Sequence, residues 1–171
     1  MARALLAAVL LLSACSEPDM TVYTVPKEEA APVPAVAAPA GLAWTAPSGW
    51  TAKAASGLRV AAFAVPGGCE LTVVTFPGDA GGDLANVDRW RGQLGLGALG
   101  GESALAGAST RVVSKAGTLR VVDFAAGGRR LLGAILAFGG RSWFFKLTGP
   151  DVAAAAAKPA FLEFLRSVRE G

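Results

Sequence analysis

TRVVSKAGTLRVVDFAAGGRRLLGAILAFGGRSWFFKLT, the stretch Thr110–Thr148, reads as four strands in succession. Apolar runs at Thr110–Ser114, Thr118–Ala125, Arg130–Phe138 and Ser142–Thr148 are parted by Lys115-Ala116-Gly117, Ala126-Gly127-Gly128 and Gly139-Gly140. Each gap is short enough to close an antiparallel hairpin. The third run is apolar at both alternating sets of positions, Leu132, Ala134 and Leu136 on one side, Leu131, Ile135 and Ala137 on the other. Successive side chains of a strand point to opposite faces, so a sheet with two apolar faces has to be covered on both. This stretch therefore predicts a meander at the centre of a layered domain.

Upstream, Leu58–Val65 and Glu70–Phe76 are two more apolar runs around Pro66-Gly67-Gly68, which reads as a further hairpin, and Pro77-Gly78 stops the second strand. Gly81-Gly82-Asp83 leads into a helical pattern in which Leu84, Val87, Trp90 and Leu94 recur at three- and four-residue steps, with Asp83 expected as N-cap. Gly95 and Gly97 are expected to end that helix, and the small residues through Gly107 to form a loop. Downstream, Asp151–Val168 is Ala-rich, with Phe161, Phe164, Leu165 and Val168 at helical spacing behind Pro150. Pro159 should kink this helix or begin a second segment, since it lacks an N–H and crowds the preceding turn. The expected class is α+β: an antiparallel, meander-rich sheet of six or seven strands covered by helices, forming a single domain over residues 42–171. Trp44 and Trp50 are expected to pack its entrance against the sheet.

The N-terminus carries an address. Arg3, an apolar run and then Leu12-Ser13-Ala14-Cys15 make a signal peptide over residues 1–14 that closes in a lipobox. Cleavage before Cys15 leaves a thiol to carry a diacylglycerol and an amine to carry a further palmitate-type acyl chain. The run Ala4–Ala14 is about half the roughly 20 residues a bilayer span needs, which weighs against a plain transmembrane anchor; cleavage without lipidation stays open. One acyl chain holds a protein only marginally, whereas two or three on one cysteine make release negligible. Residues 15–41 then alternate Pro18, Pro26, Pro32, Pro34 and Pro39 with Ala and Val. Such a tract is a semi-extended tether; at about 3.1 Å per residue it reaches roughly 80 Å. Ser16 in place of Asp resembles the sorting signal of Gram-negative lipoproteins bound for the outer membrane, so the expected location is the cell envelope, on the periplasmic face of that membrane, with the bilayer as a partner through the acylated terminus.

Composition removes most chemistry. Among 171 residues there is no histidine, which takes away the commonest general base and the commonest metal ligand. There are two cysteines, so acylation of Cys15 leaves Cys69 without an intrachain partner; it reads as a small hydrophobe at a strand start, or alternatively a reactive thiol. No cofactor and no metal site is expected. Ser109, Ser114 and Lys115 permit a Ser–Lys pair on paper, but a lysine in a turn stays solvated and protonated. The net charge of +3 includes Arg3 of the leader, and Arg129-Arg130 is an isolated basic pair read as a solvated turn, so no nucleic-acid partner is expected. Strand, Gly-rich loop and helix start at Phe76–Asp83 outline a phosphate cradle, yet the Lys-Ser/Thr of a P-loop is missing and Asp79 and Asp83 would repel an anion. Calcium on those aspartates lacks any EF-hand spacing. The alternative is a tight connection whose glycines take positive φ. Asn86, Arg89 and Gln93 form one stripe of the helix, either a solvated face or, flanked by Trp90 and Arg91, a recognition surface.

Taken in order, Ala46-Pro47-Ser48-Gly49-Trp50, Phe76-Pro77-Gly78-Asp79, Asn86 with Arg89-Trp90-Arg91 and Gln93, and Trp143-Phe144-Phe145-Lys146-Leu147-Thr148-Gly149-Pro150 resemble a group of bacterial lipoproteins and secreted proteins over about residues 42–169. Their layout is similar to the PsbP-type α/β/α sandwich, whose members include a photosystem II extrinsic subunit and a Ran-binding protein. That fold serves binding and assembly, so the resemblance implies a non-enzymatic module and hands over no catalytic residues. The expected function is that of a membrane-anchored, non-catalytic binding or assembly-factor domain with an envelope protein as partner, contacted through Asn86, Arg89, Arg91 and Gln93. The alternatives are a small-ligand carrier with a pocket between sheet and helices, and an enzyme of unknown type.

Overall fold

The computed structural model describes residues 41–171; the leader, Cys15 and the tether as far as residue 40 lie outside the described residues. The chain forms β1 (Leu42–Ala43), β2 (Thr51–Lys53), β3 (Arg59–Val65), β4 (Cys69–Pro77), α1 (Asp83–Gly92), α2 (Glu102–Gly107), β5 (Ser109–Ser114), β6 (Gly117–Ala126), β7 (Arg129–Phe138), β8 (Arg141–Pro150), α3 (Asp151–Arg166) and β9 (Arg169–Glu170). Strands β2 to β8 make one seven-stranded sheet in the order β2-β3-β4-β8-β7-β6-β5, every pair antiparallel. The α+β class and the seven-stranded sheet agree with the sequence. The sheet is two meanders, β2–β4 and β5–β8, joined where β4 pairs with β8. Between them, α1 and α2 carry the chain from the middle of the sheet to its far edge.

Both faces of the sheet are covered. On one, Leu132, Ala134 and Leu136 of β7 pack with Trp143, Phe145 and Leu147 of β8 beneath Ala154, Phe161, Phe164 and Leu165 of α3. Phe164 is the hub of an aromatic group, its ring 5.6–6.1 Å from those of Trp44, Trp50, Phe63 and Phe145. Its full burial contributes about 1.5–3 kcal/mol. The two tryptophans thus pack the domain entrance as expected. On the other face, Val87 and Trp90 of α1 and Leu105 of α2 sit on Val122, Phe124, Leu131, Ile135 and Phe144. The chain ends are tied together: β1 pairs with β9, and Thr45 N donates to Ser167 Oγ at 2.9 Å.

Four local expectations are corrected. Asp83 is not the N-cap of α1; Gly82 is, at φ 82°, and no side chain caps the helix. The Asp83 carboxylate instead accepts from Arg120 Nε at 2.6 Å, because an ion-paired hydrogen bond is stronger than one to a neutral backbone N–H. Helix α1 stops at Gly92, with Gln93 as its C-cap, before Gly95 and Gly97 are reached. The stretch through Gly107 contains α2, held by Leu105, which is fully buried, and built from alanines of high helix propensity. Helix α3 continues through Pro159, so no second segment begins there, and packing of its apolar face outweighs the missing N–H. Strands β1, β2 and β9 are too short to show a period.

Candidate functional site

A cleft of about 520 Å³ opens on the α1 face of the sheet, at the end where the β5–β6 and β7–β8 hairpins turn. Its floor is Ile135 and Ala137 of β7; its walls are Arg111 of β5, Thr118 and Arg120 of β6, Ser142 of β8 and the loop from Gly78 to Asp83, and Phe138 and Arg141 border it at the β7–β8 turn. Strand alternation puts the side chains of Arg111, Thr118, Arg120, Ile135, Ala137 and Ser142 there, and turns those of Phe138 and Arg141, a cross-strand pair, to the α3 face, where Phe138 packs. Arg111 lies opposite Arg120, and Arg120 opposite Ile135, in one cross-strand row, so all three point to the same face.

The loop that forms one wall is latched. Gly78 N donates to Gly140 O at 3.0 Å, Ser142 Oγ donates to Gly78 O at 2.7 Å, and Gly81 N donates to Asp79 Oδ1 at 3.2 Å. Gly78, Gly81 and Gly82 all take positive φ, as the sequence suggested, and Ala80 joins them at φ 50°. On the opposite face at this end of the sheet, Arg141 Nε donates to Thr75 Oγ1 at 3.1 Å, and Thr75 Oγ1 donates to Ser142 O at 3.1 Å.

The charges in the cleft differ in how far they are committed. Arg120 is spent on Asp83, with a further contact from its Nη1 to Ser109 Oγ at 3.4 Å. The Arg141 side chain is on the opposite face, where its Nε donates to Thr75 Oγ1, so it adds no charge inside the cleft. Arg111 makes no hydrogen bond or ion pair among the described residues, and it faces a like charge directly across the strands. The cleft thus offers the uncommitted Arg111 guanidinium over an apolar floor, with Asp79 and the Arg120–Asp83 ion pair on its loop side. Its hydroxyls are Thr118 and Ser142, and Ser142 already donates to Gly78 O. Among the described residues, no group of three or more His, Cys, Asp or Glu is placed to hold a metal ion.

The residues singled out on α1 lie outside this cleft. Asn86 is 4% exposed, so it is not part of a solvated stripe. Its Nδ2 donates to Ala80 O and Gly82 O at 2.9 and 2.7 Å, and its Oδ1 accepts from Arg89 Nη2 at 2.7 Å. Asn86 therefore anchors the loop that walls the cleft. Arg91 Nε donates to Gly97 O at 2.7 Å while its guanidinium sits 4.9 Å over the Phe124 ring, closing the end of α1. Arg89 and Gln93 are exposed, and Gln93 Oε1 accepts from Lys146 Nζ at 3.1 Å. Burial, aided by Arg89 and Arg59 and opposed by Glu70, holds Lys146 below the usual lysine range.

Other expectations resolve more simply. Cys69 opens β4 and is buried, and burial pushes its thiol up, with Arg129 pulling slightly the other way. The Arg129-Arg130 pair is not a solvated turn throughout. Arg130 donates from Nη1 to Asp123 at 2.8 Å and from Nε to Asp151 at 2.7 Å, tying β7 to the start of α3, and Lys158 joins Asp123 at 2.8 Å. These bonds raise the Arg130 pKa further.

Arg111, Thr118, Arg120 and Arg141 were not singled out by sequence. One signal was present: the face of β6 that reads Thr118, Arg120, Val122, Phe124 is polar in its first half and apolar in its second. A strand covered along its whole length would not change character in this way.

No family model matches the chain, and no curated protein matches its sequence. Among solved structures it is similar to a crystal structure of a protein from Bacteroides thetaiotaomicron, at 16% identity and a TM-score of 0.45, over 76% of this chain and 45% of that one. The chain thus spans under half the length of that protein. It is also similar to the solution structure of cyanobacterial PsbP (CyanoP) from Synechocystis sp. PCC 6803, at 15% identity and a TM-score of 0.45, over 77% of this chain and 94% of that one. A third is the crystal structure of LpqN, involved in cell envelope biogenesis of Mycobacterium tuberculosis, at 12% identity and a TM-score of 0.42, over 75% and 82% of the two chains.

Proposed function

We propose that the chain is a lipid-anchored cell-envelope protein whose folded domain is a non-catalytic binding module, and that the cleft beside the N-terminal end of α1 is where it binds. The observation that carries the binding half is the cleft itself. Its volume of about 520 Å³ falls within the range of roughly 300–1,000 Å³ usual for small-molecule sites, and it combines an apolar floor with a few polar groups. The cleft lies between the sheet and the loop before α1, not between sheet and helices as the carrier reading expected, but a concave space of this size suits a small ligand better than a docked protein. The four helix residues Asn86, Arg89, Arg91 and Gln93 suit a partner surface less well, since Asn86 is buried and Arg91 holds the loop at Gly97. Arg89 and Gln93 remain the exposed part of that surface. What supports the anchoring half is the lipobox ending at Cys15; no helix among the described residues is long and apolar enough to cross a membrane.

Two measurements test the two halves. Metabolic labelling with a palmitate analogue should mark the wild-type chain and leave Cys15→Ala unmarked; equal labelling refutes the anchor. Native mass spectrometry of the protein taken gently from its own envelope should show a bound small molecule that is lost in Ala137→Trp, which fills the cleft. A bare wild-type protein, or a ligand retained by Ala137→Trp, refutes the cleft.

A further inference from the structure

We propose that the β2–β4 end of the sheet, on the α1 side, is a docking shelf for an acidic segment of a partner protein. This goes beyond the cleft, which lies toward the β5 edge of the same face, and does not depend on it. Cross-strand register sets the shelf. Lys53 of β2 faces Ala62 of β3, Ala62 faces Thr72 of β4, Thr72 faces Lys146 of β8, and Lys146 faces Gly133 of β7. Directly opposed residues share a face, and Gly133 lies under Trp90, so this row is on the α1 side. The next row runs from Thr51 through Ala64, Glu70 and Thr148 to Leu131, which packs in the α1 layer. That layer sits on β6, β7 and β8, and beyond it Thr51, Lys53 and Ala64 are exposed. Strand β4 records the change of cover: Cys69, Leu71 and Val73 toward α3 are buried, while Glu70, Thr72 and Val74 toward α1 are half-buried.

The shelf holds four cations, Lys53, Arg59, Arg89 and Lys146, and among the described residues Glu70 is the one carboxylate that pairs with any of them. Its Oε1 accepts from Lys53 Nζ at 3.3 Å and from Arg59 Nη1 at 3.1 Å, so one negative charge serves two positive ones. Arg89 and Lys146 are bonded to neutral oxygens, those of Asn86 and Gln93. Burial, and then the charges of Arg89 and Arg59, hold Lys146 below the usual lysine range, so these groups feel one another across the shelf. A surface with such a surplus selects its partner by charge and speeds encounter more than it holds tightly. Shape decides between two anionic partners. From β2 to β8 is three strand spacings, about 14 Å at roughly 4.8 Å each, wide enough for one extended segment or one helix of about 10–12 Å. Helix α1 stands along the shelf as a wall, with Arg89 and Gln93 on the near side. A planar bilayer cannot reach Thr72 and Lys146 at the foot of that wall, whereas a peptide lies against it.

The test is fluorescence anisotropy of the full-length chain, kept unacylated by Cys15→Ser, with three short labelled peptides: a Glu-Thr repeat, its neutral Gln-Thr counterpart and a Lys-Thr repeat. The Glu-Thr peptide should bind and the other two should not, with amide shifts at Thr72 and Thr148 locating it. Its affinity should fall about tenfold or more as salt rises from about 0.1 M to about 1 M, because screening shortens the reach of a charge from about 10 Å to about 3 Å. Combining Lys53→Gln, Arg89→Gln and Lys146→Gln should weaken binding about tenfold or more, with an unchanged melting temperature showing that the fold is intact. Lys53→Gln with Arg89→Gln alone, both at exposed positions, should show a smaller loss in the same direction. Arg166→Gln, exposed on α3, should leave binding unchanged. Vesicles of phosphatidylglycerol and phosphatidylcholine supply the lipid arm. Co-sedimentation that the combined variant abolishes, with no peptide bound, assigns the shelf to a membrane and overturns the acidic-segment proposal. Equal binding of the Glu-Thr and Gln-Thr peptides, no binding of either, or Glu-Thr binding that survives the combined variant also overturns it. None of these results touches the cleft, which shares no residue with the shelf.

Discussion

The Trp90 ring sits against the backbone of β7 at Gly133, where an added Cβ would overlap its six-membered ring. Gly133 is therefore a matter of space, and its place mid-strand is the cost of seating an indole on the sheet. Gly133→Ala should destabilise the domain by about 1–3 kcal/mol in chemical denaturation, with Trp90 fluorescence altered in the native state. A Val at Trp90 should relieve the overlap but leave a void, so the double variant should not recover wild-type stability. Trp90 was legible in the sequence through its spacing with Val87 and Leu94. Gly133 was not, because the gap it leaves belongs to two elements far apart in the chain. Cys69 behaved as its setting implied, a small buried side chain at the start of β4. Burial raises its thiol pKa, so thiolate forms only at a pH above the usual cysteine range. In a Cys15→Ser background, Cys69 should react with a disulfide reagent at pH 8 far more slowly in the native state than in denaturant. Equal rates would show that the thiol is exposed.

At the scale of the element, hairpin chemistry was readable and helix ends were not. Each turn of the β5–β8 meander is two residues with glycine in it or next to it, and each strand carries its own apolar run, so the signal is local. Asp83 shows the opposite case. Its cap position was a sound local inference, overruled by Arg120, a residue 37 positions away. Pro159 in α3 shows tertiary packing overruling propensity, since Phe161, Phe164 and Leu165 on either side of the following turn are fully buried. A proline inside a helix costs about 3 kcal/mol relative to alanine, offset by up to about 1 kcal/mol through restriction of the unfolded chain. Pro159→Ala should accordingly raise stability by about 2–3 kcal/mol. A loss of stability would mean that the proline ring makes a packing contribution larger than its backbone cost.

For the whole molecule, the address and the binding site were legible to very different degrees. The lipobox proposed at Leu12-Ser13-Ala14-Cys15 is a pattern of four consecutive residues, local enough to be read from sequence. The cleft draws Arg111, Thr118, Arg120, Ala137, Ser142 and the loop after β4 from segments spread over more than 60 positions, and only the sheet order β8-β7-β6-β5 brings them to one place. No local pattern encodes that assembly, which is why the helix stripe drew attention first. The central claim is that this cleft, facing away from α3, is where the protein meets its ligand. A photo-crosslinking amino acid placed at Ala137 in the cleft, and separately at Val152 on the exposed side of α3, tests it in intact cells. The account predicts a discrete small-mass adduct on intact-mass analysis at position 137 and none at position 152. Identical adduct patterns at the two positions would contradict it.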